Sequence, residues 1–238
     1  MNPIHVTSLT SFIQCPFKFK NDEYSPDIAE TYPGDMLNIA VNSNGPTDAY
    51  FTWYMANFSV DFKQIHMMKK AHAEARKYVE NLKKDNYVYQ EAKHYLKWMD
   101  EMIVGSTDLV IIPRDFDRNN PKEDVFISVE DLKFSTHAYY IDGNLFDYDA
   151  QSFVYPLMLM DYYKVDKIEF SFVCWDKAKG SMKKATIIRC RSECQEYVDR
   201  TMTKYLECNM LGEYPRHNNK FCEGCQFKIW CEGRFAKR

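Results

Sequence analysis

Gly105-Ser-Thr-Asp-Leu-Val-Ile-Ile112, then after a polar stretch Asp124-Val-Phe-Ile-Ser-Val-Glu-Asp-Leu-Lys133, read as two successive β-strands. Both are rich in β-branched residues, and the connection from Arg114 to Lys122 is polar. Side chains alternate along a strand, so Asp131 and Lys133 share a face and Glu130 takes the other. Asp108 follows a glycine on the first strand. Pairing of the two strands would bring two carboxylates and an ammonium together.

Residues 147–163 read as an apolar helix carrying Gln151 and Tyr155, four apart and so on one helix face. Lys167–Trp175 and Ala185–Arg189 read as paired strands joined by a Lys/Gly loop. Ser192–Leu211 reads as a helix with a Ser192-x-x-Gln195 capping box and Gly212 at its end. Upstream, Tyr87-Val-Tyr89 opens a strand, residues 47–84 carry helical apolar spacing, and 20–46 are loop-like with Pro and Gly. Residues 8–19 read as a short helix with Ser8 as N-cap. The expected fold class is α/β, a mixed central sheet flanked by helices. One domain over 1–238 is expected, with a helical annex at about 47–84, a core at about 87–190 and a C-terminal helix and cysteine segment at 192–238.

The chain has 238 residues and 45% hydrophobic content, enough for a sizeable core. It holds no apolar run of membrane-spanning length. Met1-Asn-Pro-Ile-His lacks the basic-then-apolar pattern of a signal peptide, so a cytoplasmic setting with reduced thiols is expected. A net charge of −3 does not announce a nucleic-acid binder. Local lysines at 69–70, 83–84 and 177–184 are ordinarily solvated faces.

An isolated Asp-x-Lys usually marks only a solvated strand edge. Here order and spacing carry the weight: Gly-x-x-Asp on one strand, Asp-x-Lys on the next, then the helix with Gln151. Asp108 and Asp131 can hold one Mg²⁺ or Mn²⁺, since hard cations take carboxylate oxygens and keep water and phosphate. Such an ion polarises a phosphoryl oxygen and activates water. Lys133 would offset charge developing in the transition state, and Gln151 and Tyr155 would orient the lysine or contact a phosphate.

Eight cysteines in a reducing compartment favour metal ligation over disulfides. Cys15 precedes Pro16, and Cys222, Cys225 and Cys231 form C-x2-C-x5-C. Four thiolates suit zinc or an iron–sulfur cluster equally by spacing. Tying remote segments would offset the entropy of closing a long loop. Cys174, Cys190, Cys194 and Cys208 read as ordinary thiols.

These motifs together resemble the PD-(D/E)XK nuclease superfamily, in the RecB-like branch that carries an iron–sulfur cluster and includes CRISPR-adaptation nucleases and the AddB nuclease domain. Ser8–Phe17 resembles the entry helix ending Cys-Pro. Gly105–Asp108 resembles the first acidic motif, Asp131-Leu-Lys133 the D/E-x-K, Gln151–Tyr155 the Q-x3-Y, and the three late cysteines the closing set. The resemblance implies a restriction-endonuclease-like core, a 4Fe–4S cluster on Cys15, Cys222, Cys225 and Cys231, and a Mg²⁺- or Mn²⁺-dependent DNA exonuclease acting on single strands or ends. It implies DNA as partner, with a helicase, recombination or integrase protein, and Asp108, Asp131, Lys133, Gln151 and Tyr155 as catalytic. One departure stands out: the family's metal-binding His falls at Asn38 in Gly34-Asp-Met-Leu-Asn38. Asn38 would then be the third metal ligand, with His66 or His72 as substitutes. Glu91 resembles a recurring family glutamate. The alternative reading is a catalytically weak DNA-binding or assembly subunit on the same fold; a zinc-stapled interaction module is a third.

Overall fold

The computed structural model describes residues 3–21, 51–52, 55–56, 62–117, 119, 126–135, 146–147, 149–176, 179–217, 222, 225, 227 and 231. In chain order the elements are β1 (Ile4–His5), α1 (Val6–Gln14), α2 (Pro16–Asn21), α3 (Phe62–Asp85), β2 (Asn86–Trp98) and β3 (Glu101–Pro113). β4 (Ser128–Ser135), α4 (Gln151–Tyr163), β5 (Lys167–Asp176), β6 (Met182–Cys190) and α5 (Arg191–Leu211) follow. The strands form one six-stranded mixed sheet flanked by helices, the expected α/β class with a restriction-endonuclease-like core. β2 and β3 are a long antiparallel hairpin, β4 runs antiparallel to β3, α4 crosses over to parallel β5, and β6 closes the edge antiparallel to β5.

Two apolar layers cover the sheet. α1, α4 and α5 bury one face around Leu9, Val110, Val129, Leu157, Phe170 and Val198. α3 buries the other through Met68, Ala71, Ala75 and Val79 against Leu109, Leu132, Val173 and Trp175. The even and odd residues of β4 divide cleanly between the layers, as strand geometry requires. Among the described residues no helix is long and apolar enough to cross a membrane.

α4 is buried continuously from Gln151 to Met160, although Pro156 lies inside it. Proline lacks the N–H that would bond the carbonyl of Ser152. Buried Arg189 takes that carbonyl instead through Nε at 3.2 Å, and bonds the Phe146 carbonyl through Nη2 at 3.1 Å. Its guanidinium lies 3.7 Å from the Phe153 ring centroid and pairs with Glu193. This anchor sets where α4, and with it Gln151, stands.

Three local expectations are corrected. Residues 8–19 are two helices, because Cys15 is extended (φ −165°, ψ 110°), as a residue before proline prefers. Ser8 lies inside α1, whose N-cap is His5. The Ser192-x-x-Gln195 box does not form: α5 starts at Arg191, and Gln195 Nε2 donates to Asp199 Oδ1 at 2.9 Å. Gly212 does end α5, with φ +68°.

Candidate active site

β2 pairs along the whole length of β3. The opposite edge of β3 is shared by β1, at Ile103 and Val104, and β4, at Leu109–Ile111. Gly105 to Asp108 therefore line a notch between β1 and β4. Alternation breaks at this level: Ile103 belongs to the layer under α4, whereas Leu109 belongs to the layer under α3. On β2 the break falls at Glu91, which has φ +49° between the Gln90–Leu109 and Ala92–Thr107 pairs. A non-glycine residue with such a φ costs about 1 kcal/mol or more, and such strain concentrates at functional sites. The break turns Asp108 to the face carrying Asp131 and Lys133.

The β3–β4 ladder ends at Leu109–Glu130. Beyond it the Leu132 N–H donates to Asp108 Oδ2 at 2.6 Å. Asp131 is buried and pairs through Oδ2 with Lys133 Nζ. Gln151 is the hub: its Oε1 accepts from Lys133 Nζ at 3.3 Å, and its Nε2 donates to Asp131 Oδ1 and to the Tyr155 hydroxyl, each at 3.3 Å. The structure thus brings Asp108, Asp131, Lys133, Gln151 and Tyr155 to one place.

The glycine of the motif has a packing reason. A Cβ on Gly105 would lie 2.5 Å from Tyr155 Cε1 and 2.8 Å from Val6 Cγ2. The Tyr155 ring lies on bare backbone, which fixes the hydroxyl that meets Gln151.

Asp149 and Thr10 belong to the site although no motif marked them. Buried Asp149 accepts from the Gln151 N–H at 2.9 Å and from Thr10 Oγ1 at 2.9 Å, and Thr10 Oγ1 accepts from the Ala150 N–H at 3.1 Å. They tie the start of α4 to α1. The signal that could have found Asp149 is an acidic residue just ahead of a helix start.

Burial pushes the Asp108 carboxyl up to about 8; the Asp131 charge and Glu91 add to this, against Lys133 and the Leu132 N–H. Burial also raises Asp131, opposed by Lys133, and raises Asp149 and the Tyr155 hydroxyl. Neighbouring buried carboxyls resist carrying two charges unless a cation joins them. Asp131 Oδ2, though in ion contact with Lys133, accepts no hydrogen bond of normal geometry. Two such carboxylates fit a hard divalent ion that keeps water and phosphate in its shell. Among the described residues no three His, Cys, Asp or Glu form a group that could hold a metal by themselves.

Asn38 lies outside the described residues. His66 is exposed on α3. His72 is buried on α3 against Phe51, with ring centroids 5.0 Å apart, in the layer across the sheet from Asp131. Burial, aided by Arg76, lowers it to about 4.

The segments that carry Cys15 and the C-terminal cysteines meet. The Phe17 N–H donates to the Pro215 carbonyl at 3.3 Å, and Arg216 Nη1 donates to the Cys231 carbonyl at 2.8 Å while its guanidinium lies 4.8 Å from the Phe17 ring. The Cys231 thiol is raised by burial, and Cys15, Cys222 and Cys225 are close enough to raise it further, against Arg216. The donor set matches a thiolate-bound metal or cluster in chemistry, without closing on one centre.

No protein-family description and no curated protein sequence matches the chain. It shares its fold with the crystal structure of a candidate exonuclease from Eubacterium rectale, with a TM-score of 0.55 at 13% identity over 90% of this chain and 84% of that one. It also aligns with the crystal structure of SSO0001, with a TM-score of 0.46 at 14% identity over 97% of this chain and 86% of that one. At 13% identity the likeness to the first is one of fold.

Proposed function

We propose that this chain is a metal-dependent DNA nuclease, an exonuclease on single strands or ends. The observation that carries the reading is the grouping of Asp108, held by the Leu132 N–H, with Asp131 and Lys133, both held by Gln151, where two strands part. The fold shared with a candidate exonuclease supports it. Asp108 and Asp131 would hold Mg²⁺ or Mn²⁺, with Asn38 as a further ligand; the ion's contribution is to activate water and polarise the scissile phosphate. Lys133 stands beside the carboxylates to offset the charge that grows on the phosphate during hydrolysis. Gln151 fixes the lysine's direction, and Tyr155 fixes Gln151. Asp149 and Thr10 hold the start of α4 and so act by positioning. Cys15, Cys222, Cys225 and Cys231 would carry a 4Fe–4S cluster that staples the two ends of the chain, in a cytoplasmic protein working with a helicase, recombination or integrase partner.

Cleavage of end-labelled single- and double-stranded DNA with Mn²⁺ tests this. Asp108→Ala, Asp131→Ala and Lys133→Ala should each reduce the rate a hundredfold or more, as loss of one electrostatic contact of roughly 3–4 kcal/mol would. Cleavage that survives Asp131→Ala would refute the assignment. A second reading, a DNA-binding assembly subunit, is favoured by the lack of a three-ligand group among the described residues. It predicts DNA binding with no cleavage at any Mn²⁺ concentration. Protein prepared anaerobically should contain iron and be brown; zinc without iron would remove the cluster from the reading.

A further inference from the structure

The helix face that carries Gln151 and Tyr155 does not stop at the candidate site. Residues 151, 155, 158 and 162 fall on one stripe of an α-helix. Met158 and Tyr162 continue that stripe into a groove of about 640 Å³ beside β2. Tyr89, Lys93 and Tyr95 of β2 line it with Met158, Tyr162 and Tyr163 of α4. Its floor includes Val110, two residues along β3 from Asp108, and Ala92, next to Glu91.

The composition is unusual for an exposed surface. Tyr89 is 52% exposed, Tyr95 62% and Tyr162 66%. Tyr162 and Tyr163 meet edge to face with centroids 4.8 Å apart, which sets the Tyr162 ring against its neighbour. Phe116 adds a further ring and Lys93 an exposed cation. His94 is turned to Thr107, its Nε2 3.1 Å from Oγ1, and burial lowers its affinity for a proton, so it adds no charge near neutral pH.

Exposed rings beside one lysine suit a ligand that offers flat faces and a spaced negative charge. Single-stranded nucleic acid does so: bases stack on aromatic side chains whatever their identity, and a cation takes the backbone. A duplex hides its base faces. We propose that this groove is a base-stacking subsite for an unpaired strand, and that it leads the strand along α4 to Asp108 and Asp131. The proposal rests on the nuclease reading for its direction, while the subsite stands on its own geometry.

The test is fluorescence anisotropy of the full chain in EDTA, with a labelled 12-nucleotide strand, the same strand with abasic sites, and a duplex of the same sequence. The intact strand should bind more tightly than either. Tyr162→Ala and Tyr95→Ala should each weaken it about tenfold, Tyr162→Phe should not, and duplex binding should not change. Thermal melting of each variant checks that it is folded. No strand binding, equal affinity for the abasic strand, or tyrosine variants that bind as wild type would overturn the proposal. Mn²⁺-dependent cleavage measured on the same samples keeps the two readings apart. Tyrosine-dependent binding without cleavage retains the groove and sinks the nuclease; cleavage with tyrosine-independent binding does the reverse.

Discussion

Asp108 Oδ2 accepts the backbone N–H of Leu132 at 2.6 Å, at the point where β3 and β4 stop pairing. A side chain here takes the place of a ladder partner. It satisfies a backbone donor that the splayed strands would otherwise leave bare, and it holds one carboxylate near another at a cost in electrostatic energy.

That cost predicts how Lys133 and Asp131 behave as a pair. Lys133→Met leaves a buried carboxylate without its cation, which should destabilise the protein by about 3–5 kcal/mol. Asp131→Asn with Lys133→Met should recover much of that loss. Urea denaturation of the two single variants and the double variant measures the coupling; additive losses would mean that the pair adds no stability.

Gly105→Ala should cost at least about 2 kcal/mol by overpacking against Tyr155 and Val6. The added methyl must push the Tyr155 ring away, so the bond to Gln151 goes with it. Tyr155→Phe keeps the ring and loses only the hydroxyl. Comparing melting temperatures of the two variants separates the contributions: Gly105→Ala should fall well below Tyr155→Phe.

Glu130 is turned from Lys133, as strand alternation requires, yet it is not the idle residue such a position suggests. It is fully buried, and each of its oxygens accepts from the Tyr78 hydroxyl at 2.8 Å while Lys184 Nζ meets Oε1 at 2.6 Å. Burial, with the Glu130 carboxylate adding to it, raises the Tyr78 hydroxyl. Glu130→Ala should destabilise by about 3 kcal/mol, because Tyr78 loses its acceptor and Lys184 the nearer of its two carboxylates, keeping only Glu169 at 3.8 Å. Below the melting point, cleavage should persist. Activity lost with an unchanged melting curve would contradict this division between the two faces of β4.

His72 supplies a pH dependence. Its proton affinity is depressed in the fold, from 6.5 to about 4. The unfolded chain then binds the extra proton between these values, so stability present above pH 6.5 is lost as pH falls towards 4. The full loss amounts to about 3 kcal/mol. His72→Leu should flatten this part of the profile. Chemical denaturation at pH 7 and pH 4.5, wild type against variant, checks it; parallel profiles would place the acid sensitivity elsewhere.

Local pattern alone is enough to read the strand pair bearing Asp108, Asp131 and Lys133, an apolar helix carrying Gln151 and Tyr155, and the sheet-and-helix class; the helix reads from 147, whereas it starts at Gln151. Those features rest on local periodicity, which the backbone obeys over a few residues at a time. It also marked Gly105, but not its purpose. Three-dimensional packing, in contrast, is what shows that Gly105 clears space for Tyr155, that Asp149 and Thr10 brace the start of α4, and that α3 covers the face opposite the site. Each joins residues distant in sequence, and no periodicity records such a contact. The break in alternation at Glu91 and Asp108 is of the same kind. A strand read alone keeps its period of two, and the departure arises because β1 and β4 share one edge of β3 and leave a notch between them. Helix starts at Val6 and Arg191 escaped the capping rules because neither uses a side-chain cap. The chain's immediate continuation from β1 and β6, together with packing onto the sheet, sets those ends instead.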